Sequence, residues 1–325
     1  MRSLTGVGSL FAIAIAIAIA GAVPTLPART AAPRRPVAWC YAQTGPLEVV
    51  RTVAGRKISS LTVGRGALVP VMRTEAKNGK TRALLRVIGL ETLASVDGWA
   101  DSGKAEILPL DRFPSDEEVL RQLQLEPPSG FAAPSVAVTR WLMKQGDSGT
   151  ALVCFVASSG LPEARLVAFL PAGGKYVRGP ELRFPFSDMN PGIVSGEVRD
   201  LVGDGVECLI THEPFRKGPE VLGINMVIRR LERGNFATLW TAPLKSRNLG
   251  SFSRDIQKLE PPERNVGTPG TVTYATVEFQ ASGKISIPVW KATIGFFTVG
   301  QDKPVDSVSV SKACAWDGSK FEPVE

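Results

Sequence analysis

Histidine is nearly missing from this chain. His212 is the single histidine among 325 residues. Because a nucleophilic serine or cysteine usually needs a neighbouring histidine as its base, most familiar hydrolase arrangements are disfavoured. The H-E-x-x-H zinc spacing is excluded for the same reason. A lone histidine in THEPF, near the end of an apolar run, is typical of a structural hydrogen-bonding residue.

Cysteine is scarce, and none of it is arranged in pairs. The four cysteines are far apart and form no C-x-x-C spacing, which disfavours a zinc knuckle or a thioredoxin-type site. An even count permits two disulfides. Cys40 and Cys314 lie near the two ends, whereas Cys154 and Cys208 lie within strand-like runs. We therefore predict the pairs Cys40–Cys314 and Cys154–Cys208, with four buried free thiols as the alternative.

Clustered charge and phosphate-binding loops are also missing. The net charge is +7, yet lysine and arginine are interspersed with acidic residues, and no basic block is longer than a pair such as Arg34–Arg35. Nucleic-acid binding would need a clustered basic face. No glycine-rich loop follows a strand and opens a helix, so nucleotide binding has no support. What remains is a solvated basic surface with weak attraction to anionic envelope polymers.

The longest hydrophobic run lies at the N-terminus. Arg2 precedes an apolar Ala/Ile stretch that ends in small residues at Ala20 and Ala22, which is the order of a secretory signal peptide. We predict cleavage after residues 1–22 and an exported chain, periplasmic or secreted, without an integral membrane domain. The alternative is an uncleaved membrane anchor, although the arginines that follow the run oppose it.

Helical periodicity occurs in only one segment, whereas short Val-, Ile-, Thr- and Phe-rich runs between glycines and prolines recur along the chain. This pattern predicts an all-β fold with a short connecting helix. The helix is expected over Asp116–Gln124, because Ser115 and Glu118 form an S-x-x-E capping box. The predicted organisation is a linker at 23–36, a small barrel at 37–110, a helical connector at 111–134 and an antiparallel β module at 135–325.

The segment 37–110 carries a resemblance to a known family. Its order of motifs is Leu47 and Val49, then GALVPV at 66–71, then NGKTRALLRV at 78–87, then DGWADS at 97–102. This order resembles a bacterial Src-homology-3-type domain, in which a late Gly-Trp pair (here Gly98-Trp99) precedes the last strand. The resemblance implies a small barrel that binds cell-wall peptides or acts as a spacer.

The segment 135–325 carries a second resemblance. Glycines open apolar strands at Gly149, Gly205 and Gly283, and glycine-aromatic turns close several of them, as in WDGSKF at 316–321. Together with VRDLVGDGVECLI at 198–210, this pattern resembles the blades of extracellular FG-GAP and VCBS-type β-propellers. The resemblance implies four-stranded antiparallel units, and a twisted sandwich or a partial propeller is equally allowed.

Two turns contain residues that could take part in catalysis or in metal binding. QGDSGTALVC at 145–154 is similar to the nucleophile loop of chymotrypsin-like serine proteases, with Ser148 as nucleophile. That family places its histidine upstream, whereas His212 follows Ser148, so a turn between two strands explains the same residues.

DLVGDGVE at 200–207 supplies three carboxylates, Asp200, Asp204 and Glu207, around two glycines. Hard oxygens in a tight loop are what calcium prefers. Val202 and Cys208 replace expected ligands, so the sequence predicts at most a degenerate calcium loop. No other cofactor is expected.

Together these features predict an exported, non-catalytic binding or scaffold protein of the bacterial cell envelope. Its partner would be an envelope polymer or an extracytoplasmic protein. The alternatives are a secreted hydrolase that uses Ser148 with His212, and a calcium-dependent adhesion module.

Overall fold

The structure is a computed structural model, and two antiparallel sheets and one short helix account for its regular elements. It describes residues 35–53, 56–77, 80–89, 94–101, 103, 105–125, 136–158, 161–185, 192–217, 221–248, 271–296, 304 and 306–324. The predicted signal peptide and all of the predicted linker except 35–36 lie outside this part. Within it, no helix is apolar and long enough to span a bilayer.

The first sheet contains eleven strands. Nine of them follow the order β11-β10-β9-β8-β4-β5-β6-β2-β3, and β1 pairs with both β4 and β7. The strands are β1 (Ala38–Tyr41), β2 (Leu47–Val53), β3 (Arg56–Val63), β4 (Ala67–Lys77), β5 (Lys80–Gly89), β6 (Ala94–Asp101), β7 (Glu106–Leu108), β8 (Ala137–Lys144), β9 (Thr150–Ala157), β10 (Glu163–Ala172) and β11 (Lys175–Pro185).

The second sheet is an eight-stranded meander in which each strand pairs with the next one in sequence. Its strands are β12 (Ser195–Arg199), β13 (Cys208–Lys217), β14 (Val221–Glu232), β15 (Asn235–Asn248), β16 (Thr271–Ser282), β17 (Ile285–Phe296), β18 (Asp306–Trp316) and β19 (Phe321–Pro323). Glycines with positive φ at the hairpin turns, such as Gly234 at +81° and Gly283 at +62°, adopt a backbone conformation that other residues rarely tolerate.

The helix α1 (Asp116–Gln122) begins where the capping box predicts. The Ser115 hydroxyl accepts a hydrogen bond from the Glu118 amide at 3.2 Å, which satisfies one of the free N–H groups of the first turn. Three acidic residues in that turn complement the helix dipole. The predicted helix is thus confirmed, although it ends two residues earlier than expected.

A buried arginine ties α1 to the first sheet. Arg140 of β8 is 1% exposed, and its guanidinium lies 4.7 Å from the centre of the Trp39 ring. It pairs with Asp116 at 2.5 Å and donates to the Pro114 carbonyl at 3.3 Å. The helix start is therefore fixed by one charged side chain that reaches out of the sheet.

The core lies on both faces of the first sheet. Every residue of β9 from Ala151 to Ala157 is buried, as is expected for a central strand that is covered on both sides. The clusters on the two faces contain Phe155 and Leu166 on one side and Val156 and Phe169 on the other. A third cluster belongs to the second sheet and includes Ile228 and Trp240.

The all-β fold with a short helix is confirmed, whereas the small barrel is not seen as a closed one. Within the described residues, the strands of 38–108 follow the open order β7-β1-β4-β5-β6-β2-β3. Gly98-Trp99 lies in β6 and the short β7 follows it. Strand β4 also pairs with β8, which follows the predicted connector, through Ala67–Trp141 and Leu68–Arg140. The ladder therefore continues across the predicted connector.

The two sheets meet where glycines permit close approach. A Cβ on Gly196 of β12 would lie 2.8 Å from the Trp141 ring, and one on Gly66 would lie 2.5 Å from Val198. The Trp141 indole N–H donates to the Gly196 carbonyl at 3.1 Å, and the Val198 amide donates to the Arg65 carbonyl at 2.8 Å. This junction positions the loops that follow β8 and β12.

Candidate binding cleft

The two turns that the sequence singled out lie side by side. Gln145 and Val206 form an isolated antiparallel bridge. Beside it, the Glu207 amide donates to the Lys144 carbonyl at 2.9 Å, and the Lys144 amide donates to the Glu207 carboxylate at 2.8 Å. A segment of the first sheet is thereby joined to a loop of the second, although the two are about sixty residues apart in sequence.

The GDSG segment is a turn, as predicted. Gly146–Ser148 forms one 3₁₀ turn between β8 and β9, and the Gln145 amide donates to the Gly149 carbonyl at 2.7 Å. Gly146 and Gly149 have φ of +56° and +93°, which explains why glycine occupies both ends. Ser148 is exposed at the surface of this turn.

His212 contacts a different serine. It lies on β13 opposite Ser195 of β12, and its Nδ1 is 2.7 Å from the Ser195 hydroxyl oxygen. Burial lowers the pKa of His212, and the nearby Glu197 carboxylate only partly offsets this effect, so the ring is neutral near pH 7. In the structure, His212 contacts Ser195 rather than Ser148, the serine of the alternative hydrolase hypothesis.

Ser195 also borders a small cavity of about 120 Å³ between β3, β4, β5, β8 and β12. Thr139 lines the same cavity, and its buried hydroxyl has no hydrogen-bond partner in the structure. The contact between Ser195 and His212 could not be predicted from the sequence, because Ser195 has no motif around it. Only the register of β12 against β13 brings it opposite the histidine.

Asp200 organises the loop that follows β12. One carboxylate oxygen accepts the Gly203 amide at 2.7 Å, and the other accepts the Gly205 amide at 3.0 Å. Both glycines have positive φ, at +76° and +81°. Aspartate commonly stabilises a turn in this way. Both carboxylate oxygens of Asp200 are therefore occupied by the amides of its own loop.

Asp204 projects toward β14. Its carboxylate accepts the Val206 amide at 3.0 Å and pairs with Arg230 at 2.6 Å. Partial burial would raise the pKa of Asp204, but the hydrogen bonds from Arg230 and from the Val206 amide outweigh this effect, and the pKa is lowered. The side chain is therefore ionised and acts as a fixed acceptor at neutral pH.

Glu207 is only 4% exposed and faces the sheet junction. Besides the Lys144 amide, it lies 3.6 Å from the Arg65 guanidinium. The three predicted calcium ligands are thus bound to separate donors of the chain itself. In the described part of the chain, no three histidine, cysteine or acidic side chains are grouped so that they could hold a metal ion. Calcium binding by Asp200, Asp204 and Glu207 stays a prediction that this geometry does not support.

The four cysteines are free and buried in the structure, which is the alternative that the sequence left open. Cys40 and Cys154 belong to clusters on different faces of the first sheet, whereas Cys208 and Cys314 lie in the core of the second. Neither predicted disulfide is formed. Burial raises the pKa of the Cys40 thiol to about 11, and that of Cys154 and Cys208 to about 12.

The ends of several hairpins enclose a cleft with a volume of about 600 Å³. The GDSG turn, the Asp200 loop, the β14–β15 turn and the β18–β19 turn all contribute to it. We call it the turn cleft. Its polar and aromatic lining consists of Gln145, Ser148, Asp204, Arg230, Glu232, Arg233 and Trp316. The cleft therefore contains residues from both sequence motifs.

Three of the four charged side chains that line the turn cleft form ion pairs with one another. Arg230, on β14, forms an ion pair with Asp204 and lies 3.8 Å from Glu232. Only 12% of the Arg230 side chain is exposed, whereas 43% of each carboxylate partner is exposed. Arg233 sits in the exposed β14–β15 turn with a φ of +47°. The site presents fixed donors and acceptors with little net charge.

Trp316 supplies the aromatic surface of the turn cleft. It is the last residue of β18, is partly exposed, and packs its ring against Phe321 with centroids 5.0 Å apart. The turn that follows is held by Asp317, which accepts the Ser319 and Lys320 amides at 2.7 and 2.8 Å. A tryptophan isolated in a β run is more often a core residue, so the sequence context of Trp316 favours the core. Its position directly before an Asp-Gly turn was the available signal.

Comparisons with protein-family models, with curated protein sequences and with solved structures gave no match. The resemblances to Src-homology-3-type and propeller-type domains remain expectations.

Proposed function

We propose that this chain is an exported, non-catalytic binding or scaffold protein of the bacterial cell envelope, and that the turn cleft is its binding site. The observation that carries the proposal is the composition of the cleft. A concave site of about 600 Å³ combines an aromatic ring with a few oriented polar groups, which is the usual make-up of a ligand site.

The chemistry of the cleft favours binding over acid–base catalysis. A general acid near neutral pH needs a raised carboxyl pKa, whereas the pKa of Asp204 is lowered. The imidazole Nδ1 of His212 contacts Ser195 and is therefore engaged away from the GDSG turn. Asp204 is therefore suited to orient a ligand rather than to transfer protons.

The envelope location rests on the sequence of residues 1–22 and on the Src-homology-3-type resemblance of 37–110. The strand pairs β1–β4, β1–β7 and β4–β5–β6 within that segment are compatible with the resemblance. The meander β12–β19 is antiparallel, as propeller-like or sandwich-like units are, but it forms one eight-stranded sheet rather than four-stranded units.

The test is sedimentation of the mature protein with purified cell-wall sacculi. We expect the wild type to co-sediment and Trp316→Ala to lose most of this binding. Tyr274→Ala is the matched control, because Tyr274 is an exposed aromatic residue (57%) on the second sheet that does not line the cleft. A third variant, Trp99→Ala, measures the contribution of the Src-homology-3-like segment. Equal sedimentation of all variants, or none by the wild type, contradicts the proposal.

One observation favours a second candidate, a serine hydrolase. Ser195 lies within hydrogen-bond distance of a neutral imidazole and borders a cavity, as a nucleophile and its base would. A serine-reactive fluorophosphonate discriminates the two functions. Labelling of the wild type that is lost in Ser195→Ala and kept in Ser148→Ala would establish the hydrolase, whereas no labelling leaves the binding function.

A further inference from the structure

We propose that the turn cleft takes an uncharged saccharide segment; this inference rests on the proposed function and names its ligand class. Three properties of the cleft lead to it. They are the cancellation of its charges, the prior use of its main-chain donors, and the pairing of an indole ring with planar polar side chains.

The charges of the cleft cancel. The lining includes two carboxylates, Asp204 and Glu232, and two guanidiniums, Arg230 and Arg233. The whole chain is basic, with a net charge of +7, and would attract any polyanion weakly and in a salt-dependent manner. Within the cleft, a charged ligand would gain little from this balanced set. An uncharged ligand with many hydroxyls can use both signs, because a hydroxyl donates to carboxylates and accepts from guanidiniums.

The main chain of the GDSG turn and of the Asp200 loop offers little to a peptide. Peptides are often recognised by adding a strand to a free sheet edge, through backbone hydrogen bonds. Here Gln145 and Val206 already bridge each other, and the Val206 amide also donates to Asp204. Asp200 occupies the amides of Gly203 and Gly205. In these two segments, recognition therefore falls to the side chains.

Those side chains suit a sugar ring. Trp316 provides a broad, rigid apolar face with a fixed orientation, because Phe321 packs against it. Gln145, Asp204 and Arg230 line the same cleft and carry planar polar groups. A volume of about 600 Å³ lies within the range of pockets that hold drug-sized ligands, which a short oligosaccharide matches in bulk.

The experiment is isothermal titration of the full mature chain with uncharged tetrasaccharides. The probes are the tetramers of N-acetylglucosamine, β-1,4-linked glucose and α-1,4-linked glucose, with poly-L-glutamate as the anionic probe. A peptide fraction released from sacculi is titrated in parallel. Each titration is run in low and high salt. We expect at least one tetrasaccharide to bind with an affinity that changes less than about twofold with salt, since no net charge is neutralised.

The variants locate the site. Trp316→Ala should weaken tetrasaccharide binding at least tenfold, because it removes the apolar face, and Trp316→Phe should restore part of it. Arg233→Ala, in an exposed turn, should weaken binding several-fold. Tyr274→Ala should bind as the wild type does. Tetrasaccharide binding that is unaffected by Trp316→Ala and Arg233→Ala would refute this location.

Failure of the ligand class is separable from failure of the function. If no tetrasaccharide binds while sedimentation with sacculi still depends on Trp316, the saccharide assignment is wrong and the binding function stands. Tight binding of the peptide fraction or of poly-L-glutamate alone also overturns the saccharide assignment. If sedimentation does not depend on Trp316 either, both proposals fall together.

Discussion

The ion pair between Arg229 and Glu213 offers a sharp test of how the second sheet is stabilised. Arg229 lies on β14 and contacts Glu213 of β13 through both guanidinium NH₂ groups, one of them at 3.0 Å. The Thr211 hydroxyl also donates to the Glu213 carboxylate. Only 10% and 12% of the two side chains are exposed. The pair is therefore shielded from water and its attraction is poorly screened.

Glu213→Gln removes one charge and leaves the other buried. An uncompensated buried charge is strongly destabilising, and breaking such a pair typically costs about 3–5 kcal/mol. The matched control is Glu48→Gln in the pair Glu48–Lys57, whose side chains are 58% and 56% exposed. Solvent screens an exposed pair, so it contributes little and the control should be close to the wild type.

The assay is urea unfolding, with the free energy of unfolding taken from the midpoint at constant slope. The double variant Glu213→Gln/Arg229→Met should be more stable than Glu213→Gln alone, because it removes the remaining buried charge. If Glu213→Gln costs no more than Glu48→Gln, the burial argument is refuted. If the loss of unfolding free energy in the double variant equals the sum of the losses in Glu213→Gln and Arg229→Met measured singly, the two residues do not act as a pair.

Two further outcomes are expected. Burial raises the pKa of Cys40 to about 11 and that of Cys154 and Cys208 to about 12, and all four cysteines are buried, so no thiol of the native chain should react with Ellman's reagent at pH 8. In denaturant without reductant, all four thiols should react. Fewer than four reactive thiols would indicate a disulfide. Gly196→Ala should lower the free energy of unfolding by about 1–3 kcal/mol, since its Cβ would lie 2.8 Å from Trp141, whereas Gly45→Ala, which meets nothing within 4 Å, should be nearly neutral in a thermal melt.

The features that could be predicted from the sequence are local in origin. Ser115 and Glu118 predict the start of α1, because a capping box involves only two residues three positions apart. Gly146 and Gly149 predict a turn, because the tolerance of a positive φ is a property of single residues. The all-β composition follows from the runs between glycines. Each of these inferences depends on neighbours along the chain, and each is confirmed.

The features that could not be predicted depend on strand register and on contacts between distant segments. The sequence context of Trp316 favours the core, since nothing local shows that the β14–β15 turn and the Asp200 loop leave part of its ring exposed. The alternative hydrolase hypothesis paired His212 with Ser148, whereas the pairing of β12 with β13 places Ser195 opposite it. The predicted cysteine pairs were based on position in the chain, whereas in the structure the two members of each pair lie in different core clusters.

The short strands, the start of α1 and the residues of the tight turns can be predicted from the sequence alone, because these choices depend on side chains a few positions apart. The contact between the GDSG turn and the Asp200 loop, through Gln145 and Val206, and the place of Trp316 in a cleft with them follow only from the fold. Strand pairing brings together residues far apart in sequence, and no local pattern encodes which hairpin ends become neighbours.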